Sequence, residues 1–451
     1  MKKNRTIGVF AASFLSVGSA SFADDAPPPV PAQPDLQAIT LKLQQDVADL
    51  RGLAFRHPVP AEMQSQEDFQ KYMDERMRES LPEALNANYG AIVKRLGLYR
   101  GPLSNLKDVA KMVMGSQLAA YYDPKSQKFY VLLPNMPEML RNMTYAHELY
   151  HGLQDQYFDL QKYMPMKADQ SGPALDSDEM SARQAVVEGD ASYMMTLWMV
   201  KQMAQQTPSR DMLKPVIAMQ SQMDMNQLKA MMKLPNVAET LGTDTANALD
   251  ASDKIPSFIM ESMLGVYLKG MNFVFSVQEQ GWSEVEKLYT EYPPQSTEQI
   301  LHPEKWRNRE APSRIQFPSF AGVRALKGWD LLNSDVVGEF GWRIIFKEQG
   351  LASDAEAAAA GWDGDRYAVF KRKDSEETMM IVRTSWDSKA QAGEFAEDYQ
   401  RLLESKYANT HEPSRLVQKG EDVFIVEGGD AKDLNALLKL VQKSKKTKRK
   451  A

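Results

Sequence analysis

The stretch YAHELYHGLQDQYF, residues 145–158, sets His147, Glu148 and His151 within five residues of a chain that has only five histidines. In an α-helix, side chains four apart lie on one face with Cβ atoms about 5 to 6 Å apart, close enough for two imidazoles to reach one metal ion. Zinc held by three protein ligands keeps a fourth position for water and brings the pKa of that water to about 7. Glu148 is then the group to take the proton, because the second position of HExxH projects toward the open side of the metal without occupying it. Cysteine is absent, so zinc must bind through His, Asp or Glu, and no disulfide can brace the fold.

A third protein ligand is needed, and His57, His302 and His411 do not fall in a helix shortly after the motif. Glu188, in AVVEGDASY and 37 residues after His151, lies in a segment so rich in Ala, Val and Met that an unpaired charge would be costly to bury. Coordination would explain a Glu there. Asp190 is the competing ligand, or else an acceptor behind the ligands. Asp155, one turn beyond His151, is a second candidate to orient an imidazole.

HELYH followed by a helical EGDA block resembles the gluzincin branch of the zincin metallopeptidases, in which two His and a downstream Glu hold zinc. More broadly, HELYHGLQDQYFDL, AVVEGDASY, PPQSTEQILHPEKW and GWDGDRYAVF together are similar to a group of exported bacterial proteins that share this site, over most of the chain. That likeness brings no established substrate. The gluzincin resemblance implies Zn²⁺ as cofactor, a peptide or protein substrate, and a zincin-like sheet whose edge strand lies above the active-site helix and pairs with the substrate backbone. The hairpin QLAAYYDPKSQKFYV is the matching element. It also implies a His, Tyr or Arg that stabilises the oxyanion opposite zinc. His302, in a loop bounded by Pro293, Pro294 and Pro303, is the first candidate, with Tyr289 and Tyr292 as alternatives.

The elements that must position these residues follow from periodicity. Leu36, Ile39, Leu43, Val47 and Leu50 recur at helical spacing, and two further amphipathic helices flank Pro82. A hairpin turning at DPKSQ precedes a helix over Met136 to Leu160, and a long helix runs from Asp178 to Met203. Residues 204–256 show no strong period, and 257–281 return to helix. Beyond about residue 315, strand-like RYAVFKRK, ETMMIVRTSW and DVFIVEGG alternate with helices around Ala390 to Tyr407 and Leu434 to Val441. The fold class expected is therefore α+β: a mostly helical zincin-like domain with a small mixed sheet over 37–315 and a separate C-terminal α+β module over 320–442.

At the N-terminus, MKKNR, an apolar run and SFA before DDAPPP have the pattern of a cleavable export signal over 1–23, followed by a proline-rich linker over 24–36. No later segment approaches the roughly 20 apolar residues of a membrane span. An exported protein, periplasmic or secreted, is expected. Losing Lys2, Lys3 and Arg5 with the signal would take the net charge from −6 to −9, which speaks against nucleic acid as the partner of the chain's body. The basic tail KSKKTKRKA, 443–451, carries six positive charges and is suited to an anionic surface. Methionine is abundant at 27 residues; with no Cys and no His close to the clusters, adaptable packing over a cleft fits better than copper(I) binding.

Three functions come out of this reading. A zinc-dependent peptidase with Glu148 as general base stands first. A non-catalytic exported binding module with a structural or vestigial metal site is the second, and a zinc amidohydrolase acting on cell-wall material is the third.

Overall fold

The structure is a computed structural model that describes residues 33–80, 83–101, 119–132, 136–165, 175–223, 227, 255–408 and 410–448. The expected export signal, most of the proline-rich linker, Met225, Met231, Met232 and the last three residues of the tail lie outside the described residues. The fold is mixed α+β. None of its described helices is long and apolar enough to cross a membrane.

The first half is built around one buried helix. Helix α1 (Gln33–Arg51) turns Leu36, Leu43 and Val47 inward on one face. Strand β1 (Ala61–Met63) leads to α2 (Gln66–Ser80) and α3 (Glu83–Leu96), the two helices expected on either side of Pro82, which itself lies outside the described residues. Strands β2 (Ala120–Asp123) and β3 (Lys128–Val131) form the expected hairpin. Its turn is fixed by the Asp123 carboxylate, which accepts from the backbone N–H groups of Lys125 and Ser126. β1 pairs parallel to β3, so the sheet order is β1-β3-β2 and β2 is an edge strand.

Helix α4 (Glu138–Phe158) carries the HELYH motif, and every side chain from Thr144 to Gln156 is buried. α1, the small sheet and α5 (Ser177–Ala204) pack around it. Gly152 lets the sheet come close, since a Cβ there would lie 2.7 Å from Val59 and 3.3 Å from the Tyr122 ring. Helix α6 (Arg210–Ser221) occupies part of the region that shows no period in the sequence. After it, α7 (Ser257–Gln278) crosses α5 backbone to backbone. A Cβ on Gly189 would fall 2.1 Å from the Gly270 carbonyl carbon, so both glycines are needed for that approach. Gly189 thus serves packing, and α5 continues as helix through it. After α8 (Trp282–Thr290), the loop bounded by Pro293, Pro294 and Pro303 contains short helical turns over Thr297–Leu301 and Pro303–Arg307.

The second half is an antiparallel five-stranded sheet. After β4 (Ser313–Gln316) come β5 (Trp329–Asp335), α9 (Gly338–Glu348), β6 (Trp362–Arg372), β7 (Thr378–Trp386), α10 (Lys389–Lys406), β8 (Ser414–Lys419), β9 (Asp422–Gly428), α11 (Leu434–Gln442) and β10 (Lys445–Lys448). The sheet order is β5-β6-β7-β9-β8. Central β7 is buried along its whole length because both faces are covered, which explains the apolar run Met379–Val382 within it. α11 and Phe317, Phe320 and Trp329 cover one face.

The other face shows where the domain expectation differs from the structure. Its core is shared with Phe69 and Met73 of α2, with Ile92, Val93 and Leu96 of α3, and with Phe258 and Met263 of α7. Those helices share one core cluster with Trp342, Trp362, Trp386 and Phe395, so the hydrophobic core crosses the boundary drawn near residue 315. The sheet alone would leave that apolar face in water. The basic tail is likewise part of the fold. Lys445–Lys448 pairs antiparallel with Ser313–Gln316, and Lys448 Nζ lies 2.6 Å from the Asp363 carboxylate. Asp363, on β6 of the five-stranded sheet, thus takes the charge of Lys448.

Candidate metal centre

Because α4 is helical across the motif, His147 and His151 project from one face toward α5, which brings Glu188 up from the other side. The three donors converge: His147 Nε2 is 3.1 Å from His151 Nε2, and Glu188 Oε2 is 3.3 Å and 3.4 Å from them. All three side chains are buried. The edges of a tetrahedron of N and O ligands around zinc, with bonds near 2.0–2.1 Å, are about 3.3 Å long. The spacing therefore suits a zinc ion shared by all three.

The hydrogen-bond chemistry gives a second test of fit. Gln154 Nε2 donates to the Val187 carbonyl at 3.0 Å and to the Tyr289 hydroxyl at 2.8 Å, which leaves Gln154 Oε1 facing His151 Nδ1 at 2.7 Å. Nδ1 must then carry the proton, and Nε2 presents a lone pair toward the Glu188 carboxylate. Two acceptors held face to face inside a protein need a cation or a proton between them. In the metal-free protein a proton fills that role. Burial pulls the His151 imidazole down, but the charge and hydrogen bond of Glu188, helped by Glu148, outweigh it and push its pKa up to about 9. Burial would raise Glu188, yet the charge of His151 and the hydrogen bonds from both imidazoles hold it at about 2. His147 is lowered, by burial first and by the neighbouring His151 charge, against the pull of Glu188.

Glu148 points to another side. Its Oε2 accepts the Tyr122 backbone N–H at 3.0 Å, so it is tied to the edge strand β2 expected above the motif helix. Together with His147 it lines a cavity of about 70 Å³ that is also walled by Met195, Gln220, Tyr267 and Met271. Tyr267 lies over the His147 ring, with centroids 5.9 Å apart and planes 24° from parallel.

Behind the ligands lies a buried hydrogen-bond network. Asp190 is no competing ligand: its Oδ2 accepts from Tyr150 at 2.8 Å, from Tyr289 at 2.9 Å and from Gln154 at 3.3 Å. Burial raises its pKa, opposed chiefly by Arg51, whose Nε donates to the Tyr150 hydroxyl at 3.0 Å. Asp155 does not orient an imidazole. It accepts from the Tyr122 hydroxyl at 2.8 Å and from the Leu160 N–H at 2.9 Å, which ties the sheet to the end of α4. Gln154, three residues after His151 rather than four, is the residue that holds the ring.

His302 is not brought to this centre. Its Nε2 lies 3.0 Å from Glu339 and 3.5 Å from Arg343, both on α9, and it does not line the cavity beside Glu148. Its loop is fixed, as the surrounding prolines suggest, but fixed against the C-terminal half. Tyr289 is engaged with Asp190 behind the ligands, and Tyr292 is 38% exposed with Arg309 over its ring. Tyr267 and Gln220 are the cavity residues that the sequence did not bring forward. An aromatic residue in α7 reads as core, and α6 has no clear period.

The sequence pattern of a family described as a domain of unknown function, DUF8575, matches residues 327–438. That span is the five-stranded sheet with its helices and contains none of the converging donors. No curated protein and no solved structure matches the chain.

Proposed function

We propose that this chain is a zinc-dependent peptidase of the zincin type, in which His147, His151 and Glu188 hold the metal. The observation that carries the reading is the meeting of those three donors at 3.1–3.4 Å in a buried site, beside a cavity whose wall includes Glu148. Zinc bound there would supply Lewis acidity for a water molecule and for the carbonyl of the scissile bond.

The residues of the chain do the rest. Gln154 fixes the His151 tautomer so that Nε2 faces the metal position. Glu148 takes a proton from the attacking water and passes it to the leaving amine, which splits the peptide bond and leaves the carboxylate free to repeat the cycle. In the resting protein the Tyr122 N–H holds Glu148 against the edge strand, where an extended substrate backbone would lie. The N-terminal signal pattern supports action after export.

Replacing Glu148 by Gln tests this reading. The variant is expected to keep about one equivalent of zinc and to lose roughly 10³-fold in peptide cleavage. Cleavage undiminished in Glu148→Gln would overturn the assignment. A zinc-loaded wild type that cleaves no peptide would favour the binding-module reading instead.

A further inference from the structure

We infer that the cavity beside Glu148 is a side-chain subsite for an uncharged substrate residue ending in a carboxamide, and that Gln220 reads it; this rests on the peptidase reading above. The Oε1 atom of Gln220 is buried without a hydrogen-bond partner, and the residue lines the cavity next to His147 and Glu148. A buried acceptor left unsatisfied costs about 1–3 kcal/mol, so folded proteins seldom keep one unless something outside the chain fills it.

The rest of the cavity narrows what that something is. Met195, Leu268 and Met271 give it apolar walls, and their flexible side chains can close around a methylene stem. At about 70 Å³ it exceeds the roughly 10–15 Å³ that a single water needs, so it has room for part of a side chain. Among the described lining residues Glu148 is the one carboxylate, and none is Lys or Arg. A substrate carboxylate would therefore meet the Glu148 charge with no lysine or arginine to offset it. A substrate ammonium or guanidinium would compete for the Glu148 charge that proton transfer requires. A carboxamide fits without charge. Its N–H donates to Gln220 Oε1 while its own oxygen accepts from the Gln220 amide or the Ser192 hydroxyl, which also lines the cavity. Because an amide offers both a donor and an acceptor, the pairing holds whichever way the Gln220 group is turned.

The test compares zinc-loaded wild type with Gln220→Met, which keeps the length of the side chain and removes the amide. Two readouts are taken: kcat/KM on peptides that carry Gln or Met at each position flanking the scissile bond, and calorimetric affinity for the corresponding product peptides. At one flanking position the wild type is expected to favour Gln over Met by roughly ten- to a hundredfold, as befits a site with an otherwise unpaired polar atom. In Gln220→Met that ratio should fall to about one or below, with the Met peptide still cleaved. Wild-type cleavage that ignores the Gln-to-Met exchange, or an unchanged preference in the variant, would overturn the subsite while leaving the peptidase standing. A Gln preference in product binding without any cleavage would uphold the subsite and sink the peptidase. No cleavage and no binding preference would overturn both.

Discussion

Two buried glutamates, one in each half of the molecule, keep very different company. Glu427 on β9 is enclosed by cations and hydroxyls. Its Oε1 takes Lys406 at 2.5 Å, Arg95 at 3.4 Å and the Tyr407 hydroxyl, and its Oε2 takes Tyr399 at 2.9 Å. Glu188 on α5 faces two imidazoles that are themselves close together, and one of them has its proton committed to Gln154 on the far side. Burial works against the charge of both carboxylates, and nearby charges outweigh it in both. The first cluster is completed by the protein: Arg95 of α3, Tyr399 and Lys406 of α10 and the adjoining Tyr407 are the partners. In the second, the donors of α4 and α5 converge on one another at 3.1–3.4 Å. A buried carboxylate among imidazoles is therefore a candidate metal ligand, whereas one among fixed cations is structural.

The contrast can be broken from the structural side first. Glu427→Gln leaves Lys406 and Arg95 buried without their shared counter-charge, and it should lower the unfolding free energy by roughly 3 kcal/mol, read by urea denaturation. Zinc per folded molecule should not change. Acid should act on the same cluster. Lys406 and Arg95 hold the Glu427 carboxyl below its ordinary 4.5 despite burial, so its contribution is present above that value and fades as pH falls through the lowered folded pKa. The expected outcome is a loss of stability confined to acidic pH that Glu427→Gln no longer shows.

On the functional side, Gln154→Leu removes the acceptor that fixes His151 and should weaken zinc binding by roughly 10- to 100-fold in a chelator competition, with the fold retained. Zinc must also displace the proton shared by His151 and Glu188. Stabilisation by that raised His151 is full below its ordinary 6.5 and is lost as pH rises through about 9. From the Glu188 side the same pair is lost as pH falls from 4.5 through about 2. Apparent zinc affinity should thus climb about tenfold per pH unit toward 9 and level off there. The smallest effect is expected from deleting residues 443–451. Losing β10 and the pair between exposed Lys448 and buried Asp363 should cost about 1 kcal/mol and leave zinc content and cleavage unchanged.

The convergence of the three proposed metal ligands could be read from the sequence because its logic is short-range. Helical spacing alone puts His147 and His151 on one face, and a charged Glu188 among Ala, Val and Met has few other reasons to be buried. The identity of the residue behind His151 was harder. Positions three and four beyond a helical residue lie on nearly the same face, so an acidic Asp155 looks better than a neutral Gln154 until Tyr122 is seen to claim the aspartate. His302 was misplaced for a related reason: the prolines that fix its loop do not say against what, and the answer, Glu339 and Arg343, comes about 40 residues later. The hydrophobic core that spans the expected boundary is hidden by distance as well. Nothing local in α2 and α3 announces that they will cover a sheet formed almost 300 residues downstream.

The central claim, that the α4–α5 donors form a zinc site while the β9 cluster does not, comes down to metal stoichiometry. Zinc would be measured by mass spectrometry in wild type, His147→Ala, Glu188→Ala and Glu427→Gln after equilibration with one excess of zinc and removal of the unbound ion. The expected result is about one equivalent in wild type and in Glu427→Gln, and almost none in the other two. A full equivalent retained by Glu188→Ala, or no zinc in the wild type, would contradict it.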